Sequence, residues 1–275
     1  MTKLVVASVA TKNCYKEFLL LKYSLEQYHS CQWYVSCDAF SHSQIKQFDN
    51  VDAKILIDSD DCDHNSSDPT QQENFLKVIL TKFDICKIAI EKHGGVLFLD
   101  SDMLFVNPLE KKMLELFEIK SLDAILSQHM TNNWKNEAYH GYYNVGMFYL
   151  RNVDLIDKWK MMSVNHRSLN MYYEQKPLEF VQRNFITANF PIYYNVGWWR
   201  FNERDTLGRL DKLRLYDNII CFGTNKAVNF HLHLLKESQI HYGKFLMDRI
   251  FSMLGESGNK KYQALLQKFQ DIKSD

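Results

Sequence analysis

The chain has 275 residues, 46% of them hydrophobic, and carries 33 Lys+Arg against 33 Asp+Glu, a formal net charge of zero. That length suffices for a large, well-buried α/β core, and the balanced charge leaves no basic stripe of the kind nucleic-acid binding needs. No apolar run approaches the ~20 residues of a membrane span, and Met1-Thr2-Lys3 leads into a strand without the pattern of a secretory leader, so a cytoplasmic protein without a membrane span is expected.

Residues 4–9 form a β-type run, followed by a turn and a helix over 15–28. Residues 33–37 and 54–57 read as the next strands, 71–92 as a long helix, and 95–99 as a central strand whose unbroken apolar run suits burial on both faces. This alternation predicts a mostly parallel, Rossmann-like sheet flanked by helices, with right-handed crossovers. Further on, strands are expected at 124–127, 143–150, 192–194, 219–222 and 228–233, and helices near 154–163 and 178–186. Beyond Gln239 two amphipathic helices separated by Gly255 to Gly258 finish the chain. Residues 1–238 are therefore read as one domain and 239–275 as a helical extension packed on it. The six cysteines include no Cys-x-x-Cys pair, so reduced thiols are expected rather than zinc or disulfides.

The chemistry centres on Gly94 to Pro108, GGVLFLDSDMLFVNP. Asp100 and Asp102 emerge at the carboxyl end of the apolar strand, the edge at which open α/β sheets bind ligands. Two acceptor-only carboxylates there repel each other unless a cation lies between them, and a hard ion, Mn²⁺ or Mg²⁺, is the economical choice. A second tripeptide, Asp58-Ser59-Asp60, is followed only by turn-forming polar residues and reads as a surface loop.

On the long helix, Val78, Ile79, Phe83, Cys86, Ala89 and Ile90 make an apolar stripe, and Lys82 falls inside it. Such a lysine either snorkels outward or finds an anion; the phosphates of a ligand are the candidate, in which case Lys82→Met leaves the fold intact and weakens ligand binding. Near the C-terminus Val228-Asn229-Phe230-His231-Leu232-His233 alternates, so both histidines share one strand face. They are displaced by about 6.6 Å along the strand, so one ion takes one of them. A strand running toward the site favours His233; the spacing to Lys236, a candidate phosphate contact, favours His231. Between Trp134 and Phe201 the chain is crowded with Trp and Tyr, including Tyr139, Tyr172, Tyr193, Tyr194 and Trp199, with Asn144, Glu174 and Gln175 among them. Apolar ring faces beside directional polar groups suit a polyol ligand.

Together these pieces resemble a GT-A-fold, nucleotide-sugar-dependent glycosyltransferase of family 8, over about Lys3 to Lys236. Leu80-Thr81-Lys82-Phe83-Asp84 followed by LFLDSD is similar to the family's Thr-Lys helix and metal-binding Asp-x-Asp. The resemblance implies a uridine-binding turn at the end of the first strand (Val9, Thr11, Tyr15), nucleotide contacts from Lys82, Asp100, Ser101, Asp102 and Lys236, and metal ligation by Asp100, Asp102 and one of His231 and His233. It also implies that Asn144, Glu174 and Gln175 are the catalytic residues beside the donor sugar, and a manganese- or magnesium-dependent transfer from a nucleotide-diphosphate sugar, a UDP-sugar above all, to a glycan or other hydroxyl acceptor. Val145 stands where the family has Ser, Glu174 where it has Asp, and the Gly, Pro and Trp of its last motif are missing. Two other readings compete: a haloacid-dehalogenase-type phosphatase, whose Asp-x-Asp sits on the first strand, and a sugar-nucleotide-binding module without catalysis.

Overall fold

The structure is a computed structural model that describes residues 3–58, 67–131, 134–201, 211–232 and 240–274. Strand β1 (Leu4–Ala10) is followed by α1 (Tyr15–Glu26), β2 (Cys31–Cys37), α2 (Ala39–Ile45), β3 (Val51–Ile55), α3 (Pro69–His93) and β4 (Val96–Leu99). The long helix α3 has clear sequence punctuation. Asp68 accepts a hydrogen bond from the Thr70 amide at 2.8 Å, and Pro69 occupies the first turn. At the other end Gly94 takes φ +77° and donates its N–H to Ile90 O, turning the chain straight into β4.

The remaining elements are β5 (Met103–Phe105), α4 (Lys111–Phe117), β6 (Ala124–Gln128), α5 (Trp134–His140), β7 (Tyr143–Leu150), α6 (Val153–Val164), α7 (Gln175–Val181) and β8 (Thr187–Asn189). After them come β9 (Val196–Gly197), β10 (Leu213–Tyr216), β11 (Ile219–Phe222), β12 (Asn225–Lys226), β13 (Asn229–His231), α8 (Ile240–Glu256) and α9 (Lys260–Ser274). The main sheet has the order β3-β2-β1-β4-β7-β6-β8. Only β7 runs against the others, pairing antiparallel with β4 and β6. A small sheet, β5-β13-β9, starts directly after Asp102.

Burial on both faces of the main sheet explains the unbroken apolar run of β4. Leu97 and Leu99 pack with Phe18, Leu21 and Leu25 of α1, while Val96 and Phe98 pack with Phe83, Cys86 and Ala89 of α3 and Trp159 of α6. A third cluster joins Leu104, Val106 and Phe230 of the small-sheet region to Leu246, Ile250 and Met253 of α8 and Tyr262 and Leu265 of α9. The two C-terminal helices thus bury their apolar stripes against the strands that carry the site. The five described cysteines are free thiols.

Several expectations shift. The strand placed at 54–57 lies at Val51–Ile55, because its register against β2 pairs Trp33 with Val51; the Ile55 and Leu56 that suggested the later position are exposed. Residues 192–194 are a turn, with Tyr194 N–H bonded to Pro191 O at 3.0 Å, and the strand begins only at Val196. The helix expected over 178–186 is Gln175–Val181, extended by a 3₁₀ turn, Gln182–Asn184. Helices α2, α4 and α5 are each seven residues long, too short for an apolar period to stand out.

Candidate active site

The carboxyl ends of β1 and β4 lie side by side and are tied together by side chains. Ser8 Oγ donates to Leu99 O at 2.7 Å, and Ser101 Oγ donates to Val9 O. The turn after β1 is closed by the Cys14 and Tyr15 amides, both bonded to Thr11 O, at 2.9 and 2.8 Å. Asp38, at the end of β2, accepts from the Lys12 amide at 2.6 Å while capping α2 through Ser41 N–H. Val9, Thr11, Tyr15 and Ser101 therefore occupy one edge, with the Tyr15 ring set edge-on to Phe40 at 5.3 Å.

Next to them Asp100, Asp102 and His231 each offer one ligand atom, all within 4.8 Å of one another. His231 Nε2 is 2.9 Å from Asp102 Oδ1 and 3.9 Å from Asp100 Oδ2. Asp102 and His231 are buried, whereas the Asp100 side chain keeps about a third of its surface exposed. Desolvation pushes the Asp100 carboxyl up, against the opposing pull of Lys82 and His231. The imidazole is delivered by β13, whose pairing with β5 sets His231 opposite Met103, one residue beyond Asp102. Leu232 N–H then bonds Asp102 O at 3.0 Å.

The backbone of β7 closes the trio from the third side. Asp100 N–H donates to Gly146 O at 2.8 Å. A Cβ at Gly146 would lie 2.7 Å from His231 Nδ1 and 2.9 Å from Asp100 Oδ2, so only glycine allows this approach. Two carboxylates and one imidazole, held in a cradle that a single methyl would fill, fit a divalent metal ion. Gly146→Ala is expected to cost about 1–3 kcal/mol of stability through overpacking and to lower Mn²⁺ affinity. Thermal denaturation and manganese titration check both; wild-type affinity in the variant would mean that the cradle tolerates a methyl group.

Lys82 lies inside, as its place in the apolar stripe predicts, and is 3% exposed. It does not snorkel. Its Nζ donates to Glu174 Oε1 at 2.8 Å, lies 4.0 Å from Asp100 Oδ1 and sits 5.2 Å over the Phe98 ring. Burial alone would lower the ammonium pKa, but the Glu174 and Asp100 carboxylates outweigh it and raise it. Glu174 is fixed in turn by Trp159 Nε1, which donates to its carbonyl at 2.7 Å. Gln175 opens α7 beside it.

Asn144 is 8% exposed, and its Oδ1 accepts from Gly146 N–H at 3.0 Å and from Asn195 Nδ2 at 2.8 Å. Asn195 escaped the sequence reading, because it follows residues read as a strand; its φ of +48° reveals a turn, a conformation Asn adopts more readily than most residues. Trp199 sets its ring edge-on to His231 at 5.1 Å and to His129 at 5.3 Å. His129 approaches His140, which meets Tyr139 and Tyr172 at 4.9 and 4.5 Å. Tyr193 and Tyr194 belong instead to the core, with their hydroxyls on Glu110. His233, Lys236 and residues 59–66, which include Asp60, lie outside the described residues.

No protein-family model matches the sequence, and no curated protein is significantly similar to it in sequence. Solved structures match over most of the chain. Galactosyltransferase LgtC, in complex with donor and acceptor sugar analogs, aligns with a TM-score of 0.52 at 12% identity, covering 96% of this chain and 100% of its own. Mouse xyloside xylosyltransferase 1 gives 0.52 at 9% identity, over 84% and 97%. GlyE of Streptococcus pneumoniae gives 0.52 at 12% identity, over 98% of this chain and 64% of its own.

The chain has the GT-A fold. At 9–12% identity these likenesses are to glycosyltransferases and show the fold. In the GT-A frame Asp100 and Asp102 follow the fourth strand of the chain and β13 brings His231 back to them. Among the described residues this trio is the one group of three or more His, Cys, Asp or Glu side chains suited to a metal ion, and no helix is long and apolar enough to cross a membrane.

Proposed function

We propose that the protein is a metal-dependent glycosyltransferase that moves a sugar from a nucleotide-diphosphate sugar, a UDP-sugar in first place, to the hydroxyl of a glycan. The observation that carries this reading is the Asp100–Asp102–His231 trio at the carboxyl edge of a GT-A sheet. A divalent ion held there, Mn²⁺ or Mg²⁺, supplies positive charge to a departing diphosphate. Val9, Thr11, Tyr15 and Ser101 form the edge that receives the nucleoside. Lys82 adds positive charge behind Asp100 and holds Glu174 at a fixed distance, which presents Glu174 and Gln175 to the donor sugar. Preorganised charge of this kind needs no rearrangement as the anomeric bond breaks.

The acceptor is assigned to the side of the site that carries the aromatic rings. Tyr139 is well exposed and its ring meets Tyr172 at 5.4 Å, two residues before Glu174. Ring faces beside a few polar groups suit a pyranose. The thiols fit a reducing compartment such as the cytoplasm. The phosphatase reading loses its support, since that motif belongs on a first strand.

A thermal-shift screen with UDP, GDP and dTDP, each with and without Mn²⁺, tests the proposal. A ligand at a hundredfold excess over its Kd stabilises the fold by about 2.7 kcal/mol, so one diphosphate should raise Tm only with metal present. No shift with any of them would sink the donor assignment. Binding without sugar transfer to any glycan would leave a binding module.

A further inference from the structure

The buried amides around His231 form a chain whose direction is set at one end by the backbone. Gly146 N–H can only donate, so the Asn144 oxygen it meets at 3.0 Å is the carbonyl oxygen of that side chain. That same oxygen faces Asn195 at 2.8 Å, which makes the Asn195 atom there the NH₂ group. The other end of the Asn195 amide is then its carbonyl oxygen, and it stands 3.2 Å from His231 Nδ1. An acceptor there requires Nδ1 to carry a proton. With a cation between Nε2 and the two carboxylates it faces, the ring is neutral and its lone pair is on Nε2.

Asn195 is itself locked. It is 0% exposed, its N–H donates to Asn229 Oδ1 at 3.1 Å, and its φ of +48° turns the chain between the 191–194 turn and β9. Asn229 is also fully buried and precedes His231 on the same face of β13. The amide therefore has one orientation available to it.

From this we infer that Asn195 is a positioning residue: with Asn144 it transmits the donor direction of the Gly146 amide to His231, holds the neutral ring as the Nδ1–H tautomer, and reserves Nε2 for a divalent cation. The inference rests on the metal reading above, because without a cation the Asp102 carboxylate, 2.9 Å from Nε2, draws a proton to that nitrogen as well. Partners that fix a ligating histidine in this way are worth about 10–100-fold in metal affinity.

Asn195→Gly is the chosen variant, because glycine keeps the positive φ and removes only the side chain. Two readouts apply. With imidazole ¹⁵N labelling in saturating Mg²⁺, the wild type should give the Nδ1–H signature at His231, and the variant should lose it or mix the two tautomers. Manganese titration followed by electron paramagnetic resonance should give a Kd about 10–100-fold weaker in the variant, with retention of fold checked by circular dichroism. An Nε2–H signature in the wild type overturns the inference even if the variant does not fold. An unchanged tautomer together with a manganese Kd within about twofold of wild type in the variant overturns it as well. Absence of manganese binding in the wild type would instead remove the metal reading, and loss or retention of the Nδ1 proton signal in the variant would still decide whether Asn195 makes that nitrogen a donor.

Discussion

Asp102→Asn is expected to lower sugar transfer by at least about 10²–10³-fold, the scale on which a preorganised charge contact to a developing anion acts, while the metal-free chain keeps its fold. Asn preserves the volume of Asp and leaves an amide where His231 Nε2 now meets Oδ1 at 2.9 Å. It takes one charge from a carboxylate pair that, without a cation, is mutually repulsive. Metal affinity and donor affinity should therefore fall together and Tm should move little. Nucleotide release assayed across a manganese titration, beside circular-dichroism melts, separates the two effects. Full activity of the wild type in excess chelator would remove the ion from the mechanism altogether.

Lys82→Met should do the opposite, with stability suffering first. From the sequence alone this substitution reads as benign, since it replaces a buried charge by an apolar side chain of similar length. The structure reverses that expectation because the ammonium is the partner of Glu174, itself 6% exposed, and of Asp100. Removing it strands a buried carboxylate, a loss of about 3–5 kcal/mol, or a fall in Tm on the order of 10 °C. Lys82→Met combined with Glu174→Leu should regain most of that, because an apolar pair of similar volume is often as stable as the ion pair it replaces, yet donor affinity should stay low. Denaturant unfolding of the three proteins decides it. A single variant as stable as wild type would mean that Glu174 finds water or another donor.

Much of the left half of the sheet was legible in the sequence because its signals are local. The β4 run, the carboxylates at its end and the stripe on α3 each lie within one short stretch of chain, and each takes the place in space that its pattern implies. His231 could be narrowed to one of two positions for the same reason, by strand alternation and spacing. The partners of these groups were not legible. That Lys82 meets Glu174 and Asn144 meets Asn195 depends on how α3, β7, α7 and the turn before β9 come together, and no period in the sequence encodes it. Asn195 was hidden twice over, since Tyr193 and Tyr194 give its turn the composition of a strand. Gly146 stood inside a segment already singled out, but the closeness of His231 that makes glycine necessary appears only when β7 is placed against β4 and β13.

The reversed strand β7 has a consequence for how the molecule assembles. Its neighbours deliver their last residues to the ligand edge, but β7 delivers its first, so Asn144 and Gly146 lie there while Leu150 pairs with Val96 and Ala124 at the far end. His231 arrives from far along the chain, through a separate small sheet. The ion-binding trio is thus a product of non-local contacts, which are entropically late to form. An ion held by all three ligands would bind the finished fold and act as a clasp between the main sheet and the small β5-β13-β9 sheet.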